Sequence, residues 1–198
     1  MKQPANIRGL AEIGPDLLGL IFYERSPRYV NGLADDIVAE IPENVHKVGV
    51  FVDAKLEYVL ARVDRYGLDL VQLHGDERPG FCAAVAGFVP VIKAFRVDDN
   101  FDFAVTVPYE KACDYFLFDA KGQAYGGNGI QFAWNLLDHY EGQTPFFLSG
   151  GLRPEDAPAA RAFSHPQMAG VDINSGFEVA PGEKNLLSVK QFIEQYHG

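Results

Sequence analysis

Cysteine, positive charge and long apolar runs are all scarce in this chain of 198 residues. There are only two cysteines, Cys82 and Cys113, and they follow neither metal-ligand nor redox-motif spacing. We therefore expect a reducing, cytoplasmic setting rather than a disulfide framework. No apolar run approaches the ~18 residues of a membrane-spanning helix, and no charged and then apolar leader opens the sequence. We expect a protein that is neither exported nor inserted into a membrane.

Basic residues are outnumbered by acidic ones, 17 to 27, which gives a formal net charge of -10. A broad nucleic-acid surface is basic, so we expect no nucleic-acid partner. A small anionic substrate still fits this charge, because a few local donors are enough to hold one. With 47% hydrophobic and 22% charged residues, the chain is typical of one globular domain over 1–198. A monomer and a homodimer both agree with these numbers.

Apolar strands and amphipathic helices alternate along the whole chain, with no linker between them. We predict seven strands, at 17–23, 46–53, 68–75, 89–97, 113–120, 144–150 and 168–176. We predict eight helices, at 4–14, 31–41, 54–67, 78–88, 99–112, 130–140, 153–163 and 185–197. This strict repetition predicts either one closed α/β barrel or one doubly wound sheet.

The number of strands helps to separate these folds. A (β/α)8 TIM barrel closes with eight strands, whereas the first predicted element here is a helix. Only Met1, Lys2 and Gln3 precede that helix, too few for a strand of ~5–6 residues. We therefore expect an α/β fold, a (β/α)8 barrel whose first β-strand is missing from this chain. An open seven-stranded sheet is the alternative.

One stretch, FLFDAKGQAYGGNG at 116–129, ends a predicted strand in a carboxylate and a glycine-rich loop. Asp119 follows the apolar run directly, and the glycines after it allow the backbone to approach a ligand closely. Parallel α/β folds place their chemistry at the C-terminal ends of strands. Asp119 is therefore the candidate catalytic residue, with a plain turn cap as the alternative interpretation.

Two other predicted strands are followed by polar side chains. Arg28 lies beyond strand 17–23, and an arginine can hold a carboxylate through two parallel hydrogen bonds. His74 ends strand 68–75. Taken singly, a solvated loop charge and a structural histidine explain these residues equally well.

The last two predicted strands end in glycine-rich loops. Gly150 and Gly151 stand before a helix, and Asn174, Ser175 and Gly176 end the final strand. Backbone N–H groups on these neighbouring loops predict an anion site, of the kind that binds phosphate after the last strands of α/β barrels.

Together these segments resemble the phosphoribosylanthranilate isomerase family of tryptophan biosynthesis, which is built on a (β/α)8 barrel. The matching segments span almost the whole chain in order: LGLIFYERSPRYV, VGVFVD, LVQLHGDE, VIKAFRV, LFDAKGQAYGGNG, FFLSGGLRPED and VDINSGFEVAPGEKN. The resemblance implies an Amadori rearrangement of N-(5-phosphoribosyl)anthranilate, a small sugar phosphate. This reaction needs no metal and no cofactor.

The resemblance also implies a role for each candidate residue. Asp119 is the general acid that protonates the furanose ring oxygen. Arg28 holds the anthranilate carboxylate, and His74 lies in the pocket near the reacting sugar. The phosphate is held largely by backbone N–H groups of Gly150, Gly151, Ser175 and Gly176, with Asn174 in the same loop.

One departure from the family concerns the general base. The family's first strand reads K-x-CG, and its cysteine removes the proton from sugar C2, whereas MKQPANI begins where that motif ends. Cys82 falls in a predicted helix and Cys113 at the far end of the strand from Asp119, so we expect both to be small buried hydrophobes.

Two other functions are alternatives. The first is a catalytically inactive relative that binds the sugar phosphate or a partner without turning it over. The second is another phosphate-binding barrel enzyme, such as indole-glycerol-phosphate synthase, which relies on lysine and glutamate at strand ends. Lys93 in the strand VIKAF is the lysine that we place for such chemistry, and one lysine ranks this alternative low.

Overall fold

A computed structural model describes residues 1–120 and 134–198 of the chain. Seven strands form one sheet: β1 Leu17–Ile21, β2 His46–Phe51, β3 Leu70–Leu73, β4 Val91–Val97, β5 Tyr115–Ala120, β6 Phe146–Ser149 and β7 Met168–Val171. Each lies inside a predicted strand. The glycine-rich loop at 122–129 and the first part of the predicted helix 130–140 lie outside the described residues.

The order of the strands in the sheet is their order in the chain, and every neighbouring pair is parallel. A doubly wound sheet reverses its strand order at a switch point, and this sheet has no such reversal. The strand order is therefore that of a barrel wall, with all strand C-terminal ends at one rim.

Six α-helices with both ends in the described part of the chain cover the outer face: α1 Pro4–Ile13, α2 Asp35–Ala39, α3 Leu56–Tyr66, α4 Pro79–Ala86, α5 Ala157–Ala162 and α6 Leu186–His197. Their ends follow local rules. Pro4 occupies the first turn of α1, and Gly14 closes that helix in the left-handed region with φ 76°. The Asn185 side chain accepts from the Ser188 N–H and caps the start of α6. Among the described residues, no helix combines the length and the apolar composition that a bilayer span requires.

Two predicted helices are shorter than expected. The segment 99–112 forms only a 3-10 helix, Phe103–Tyr109, which contains Pro108. Proline lacks the N–H that an α-helix needs in its interior. The segment 31–41 becomes helical only at Asp35, because Gly32 before it has φ 65° and cannot belong to a right-handed helix.

The two faces of the sheet are packed differently. Side chains alternate along each strand, so Val91, Phe95 and Val97 of β4 join the large core beneath the helices. Ile92 and Ala94 face the other way, into a small inner cluster that also contains Val48, Leu70 and Leu117. Both faces of the central strands are thus apolar, as a parallel sheet requires.

The first and last strands of the sheet line one open cavity of about 930 Å³. Leu17, Gly19 and Ile21 of β1 lie along one side of it, and Ala169 and Gly170 of β7 lie along the other. No residue of β7 is fully buried, whereas every residue of the central strand β4 except one is. The sheet therefore curls around this cavity and brings its two edges to face each other.

Beyond β7 the chain forms a small ribbon that the sequence analysis does not predict. The predicted strand 168–176 ends at Val171, and a 3-10 helix follows at Ser175–Phe177. β8, Glu178–Ala180, then pairs antiparallel with β9, Glu183–Lys184, around Gly182 at φ 86°. This ribbon lies at the rim and carries two charged side chains toward the site described below.

A buried ion pair ties the loops after β2 and β3 to strand β4. Lys93 Nζ lies 3.1 Å from Glu77 Oε2, and both side chains are 3% exposed. Lys93 also donates to the carbonyl oxygens of Leu73 and Gly75, and Glu77 accepts from the N–H groups of Asp53 and Gly75. Every charge in this pair is hydrogen-bonded, which is the condition under which buried charges are tolerated.

We expect Lys93→Ala to lower the free energy of unfolding by about 3–5 kcal/mol, because it leaves the buried Glu77 carboxylate unpaired. Lys190→Ala is the matched control, since Lys190 pairs with Glu194 on the surface, where their side chains are 61% and 64% exposed. That substitution should change stability by less than about 1 kcal/mol. Urea unfolding of both variants measures the difference, and equal losses would contradict a structural role for the buried pair.

Candidate active site

The rim brings Asp119 and His74 together. His74 Nε2 lies 3.7 Å from Asp119 Oδ2, and each side chain is 24% exposed. Gln72 Nε2 lies 2.8 Å from His74 Nδ1. Because a side-chain amide nitrogen only donates, Nδ1 accepts and the ring proton of the neutral imidazole stands on Nε2, facing Asp119. This pair offers an acid and a hydrogen-bond donor that a ligand in the cavity can reach.

A second carboxylate at the same rim, Asp172, was missed in the sequence analysis. It follows β7 and accepts a hydrogen bond of 2.8 Å from Ser149 Oγ, at the end of β6. Burial raises the pKa of Asp172 above its ordinary value, although the Ser149 hydrogen bond and the charges of Lys184 and His74 oppose that shift. The signal was present in VDINSG, where an apolar strand ends in an aspartate as it does at Asp119.

The glycine-rich loops after β6 and β7 lie against each other. Gly150 and Gly151 have φ values of 102° and 70°, which side-chain-bearing residues rarely adopt. A Cβ added at Gly176 would clash with the Leu152 carbonyl oxygen. The two predicted anion-binding loops are therefore neighbours, and their close approach depends on glycine.

Asn174 and Arg28 are held by side chains that the sequence analysis did not single out. Lys184 Nζ donates to the Asn174 carbonyl oxygen at 2.9 Å and to Asn174 Oδ1 at 2.7 Å. Arg28 Nε lies 3.0 and 2.9 Å from the two carboxylate oxygens of Glu178, and Arg28 Nη2 lies 2.6 Å from one of them. Glu178 and Lys184 form an ion pair of 3.1 Å. Glu178 and Lys184 both belong to the run VDINSGFEVAPGEKN, but the sequence does not indicate that they form an ion pair.

The two cysteines are buried, as predicted. They belong to the outer core beneath the helices, and neither lines the cavity. A hydrogen bond to Cys82, together with burial, raises the pKa of Cys113 above its ordinary value. Neither thiol is placed to act on a ligand at the rim. Within the described residues, no group of three His, Cys, Asp or Glu side chains is arranged to hold a metal ion.

Lys93 does not point into the cavity. Its ammonium is enclosed by Glu77 and backbone carbonyl groups on the outer side of the sheet. The lysine that indole-glycerol-phosphate synthase chemistry requires is therefore not offered by this side chain.

Comparisons with known proteins agree with this geometry. The family model for N-(5'phosphoribosyl)anthranilate (PRA) isomerase matches residues 1–195. The N-(5'-phosphoribosyl)anthranilate isomerase of Parabacteroides distasonis is 46% identical over 98% of this chain and 90% of its own length. That of Phocaeicola vulgatus is 43% identical over 98% of this chain and 94% of its own length.

Solved structures give the same result. Phosphoribosyl anthranilate isomerase from Thermotoga maritima superposes with a TM-score of 0.85 at 34% identity, over 100% of this chain and 96% of that one. A phosphoribosyl anthranilate isomerase in complex with reduced 1-(o-carboxyphenylamino)-1-deoxyribulose 5-phosphate gives 0.83 at 32% identity, over 100% and 95%. This chain belongs to the phosphoribosylanthranilate isomerase family of tryptophan biosynthesis.

Proposed function

We propose that this chain converts N-(5'-phosphoribosyl)anthranilate into 1-(2-carboxyphenylamino)-1-deoxyribulose 5-phosphate by an Amadori rearrangement. The observation that carries the proposal is a rim, in a member of this isomerase family, on which Arg28, His74 and Asn174 line one cavity, with Asp119 beside His74 and the two glycine loops at the ends of β6 and β7. A related isomerase is bound to the reduced form of this product. The alternative of an inactive relative has no support from the comparisons.

Asp119 is the proposed general acid. Its carboxyl group lies at the end of β5 beside His74, which lines the cavity, and there it can donate a proton to the furanose ring oxygen as the ring opens. A positioned acid contributes roughly 10²–10⁴-fold to the rate of such a step. His74 Nε2 stands beside it and donates either to the acid after proton transfer or to the sugar.

The two anionic ends of the substrate go to different parts of the rim. The phosphate binds at the loops after β6 and β7, with backbone N–H groups of Gly150, Gly151, Ser175 and Gly176 as donors and Asn174 beside them. The anthranilate carboxylate binds the guanidinium of Arg28, which lines the cavity from the loop after β1. The sugar then spans the cavity between them, in reach of Asp119.

The fold that best suits this chemistry is the (β/α)8 barrel of the family, with one further strand between β1 and β7. The cavity between these edges is lined by apolar side chains of both strands, and the amino group of Met1 lies 3.4 Å from the Gly19 carbonyl oxygen on the free edge of β1. The same strand brings the cysteine of the K-x-CG motif, the proposed general base. We further propose a single domain over 1–198, working in the cytoplasm as a monomer or homodimer.

The first test of this proposal is an N-terminal extension of ~5–8 residues, about a strand's length, that ends in Lys-x-Cys-Gly directly before Met1. The extension should raise both solubility and activity above those of the 198-residue chain, because a further strand pairs with the edges of β1 and β7 and its cysteine supplies a base. An otherwise identical extension with serine in place of cysteine should raise solubility alone.

Soluble fraction and the fluorescence decay of phosphoribosylanthranilate are measured side by side for the three proteins. A soluble and fully active 198-residue chain would mean that another group serves as base and that the cavity needs no further strand.

Asp119→Asn tests the general acid. In the extended protein it should lower kcat by about 10²-fold or more with a much smaller change in KM, because an amide cannot supply the proton. Asp114→Asn is the matched control at the opposite end of β5, where the carboxylate only accepts from the Val91 N–H at 2.8 Å. Near-normal turnover by the Asp119 variant, measured in the same assay, rules out the assigned role.

Gly176→Ala tests the phosphate loops. The added methyl group collides with the Leu152 carbonyl oxygen, so we expect a loss of about 1–3 kcal/mol in stability and weaker binding of inorganic phosphate. Gly80→Ala in α4 is the control, because a Cβ there meets nothing within 4 Å and should be neutral or stabilising. Urea unfolding and phosphate titration calorimetry decide the matter, and unchanged phosphate affinity places the anion elsewhere.

A further inference from the structure

Among residues 1–120 and 134–198, the side chain of Arg28 is held along one edge only. Glu178 accepts from Nε and Nη2, which is the side-on geometry of an arginine–carboxylate pair. A guanidinium carries five N–H donors in a fixed plane, so the end formed by Nη1 and Nη2 keeps the donors for a second carboxylate. One arginine can therefore hold Glu178 and a ligand carboxylate at the same time.

The charges of the cluster favour that arrangement. Glu178 is flanked by two cations, Arg28 and Lys184, so the three side chains together carry one excess positive charge. Burial alone would raise the pKa of Glu178, but hydrogen bonds from Arg28 and Lys184 and the Lys184 charge outweigh it and hold the pKa below its ordinary value. The Glu178 carboxylate is thus ionised at neutral pH, and an incoming carboxylate completes the charge balance.

Glu178 itself does not face a ligand. Its side chain is only 5% exposed and does not line the cavity, whereas Arg28 is 23% exposed and does. The Gly182 N–H donates to Glu178 at 3.2 Å, so the turn of the β8–β9 ribbon fixes the carboxylate in place. An untethered arginine loses rotamer freedom when a ligand orders it, and this contact removes part of that loss before the ligand arrives.

We infer that Glu178 is a positioning residue, which clamps Arg28 by its Nε edge so that the opposite end of the guanidinium recognises the substrate carboxylate. The ribbon β8–β9 is then a specificity element, because Lys184 links the same clamp to Asn174 in the loop after β7. This inference rests on the proposed function, in which Arg28 binds the anthranilate carboxylate.

The test compares two probes by titration calorimetry: reduced 1-(o-carboxyphenylamino)-1-deoxyribulose 5-phosphate and the same compound without its carboxylate. The ratio of their dissociation constants measures carboxylate recognition alone. Wild type, Glu178→Gln, Arg28→Ala and the double variant are compared in the 198-residue chain and in the extended protein, since the cluster is present in both. Binding does not require the general base, so the test is independent of turnover.

We expect Glu178→Gln to reduce the preference for the carboxylated probe by about tenfold, the effect of a hydrogen bond to a charged group. Affinity for the probe without the carboxylate should stay close to that of wild type. Arg28→Ala should lose the preference, and the double variant should match Arg28→Ala, because Glu178 acts through Arg28.

Glu40→Gln is the matched control. Glu40 makes a similar two-bond contact with Arg8 between α1 and α2, but on the surface, with side chains 46% and 47% exposed. This variant should keep the wild-type preference.

Each result decides one of the two claims. The clamp is wrong, and the role of Arg28 stands, if Glu178→Gln lowers the affinity for both probes equally. The same holds if Glu178→Gln keeps the preference for the carboxylated probe while Arg28→Ala loses it. If Arg28→Ala keeps the preference, both are wrong. Should Glu178→Gln not fold, the Arg28 Nε–H resonance of the unsubstituted protein gives the answer: protection from exchange in free and bound states supports the clamp, and loss of protection on binding overturns it.

Discussion

A parallel sheet has to bury both of its faces, and this constraint organises the rest of the molecule. Alternate side chains of each strand point outward to the helices or inward to the concave face, so β4 sends Phe95 to one core and Ile92 to the other. The strand ends then leave inward-facing positions at a single rim. Asp119 occupies such a position, because it stands two residues after Leu117 on the same face of β5 and lies beside His74.

Two buried ion pairs at this rim have different roles. Lys93 and Glu77 lie on the outer side of the sheet and fasten the loops after β2 and β3 to strand β4. Glu178 and Lys184 lie beside the cavity and reach the groups that face it. Among the described residues, the side chains of Lys93 and Glu77 bond only to each other and to backbone groups. Glu178 also holds Arg28, whose guanidinium keeps one end available for a ligand. A buried ion pair is a weak source of stability, so its persistence at a site is better explained by geometry than by energy.

Most of the fold could be predicted from the sequence, since strand and helix periodicity is local. The same holds for Asp119 and His74, which directly follow apolar runs and so reveal their places at strand ends. What could not be predicted depends on contacts between distant residues. Arg28 and Glu178 are separated by 150 positions, and no local pattern shows that they pair. The helix predicted over 99–112 was wrong for a local reason. Its composition is helical, but Pro108 lacks the N–H that an α-helix needs in its interior.

Under the proposed function, the anion sites explain how a strongly acidic chain can bind a sugar phosphate with two anionic groups. Glu178, which lies beside the proposed carboxylate site, is neutralised by Arg28 and Lys184. The proposed phosphate donors are backbone N–H groups, and the conformation of their loops depends on the positive φ of Gly150 and Gly151. Two anions would then meet two kinds of donor, a guanidinium for the planar carboxylate and peptide groups for the phosphate. Because only the guanidinium matches a planar partner in two parallel bonds, such a rim would distinguish one end of the substrate from the other and bind it in a single direction.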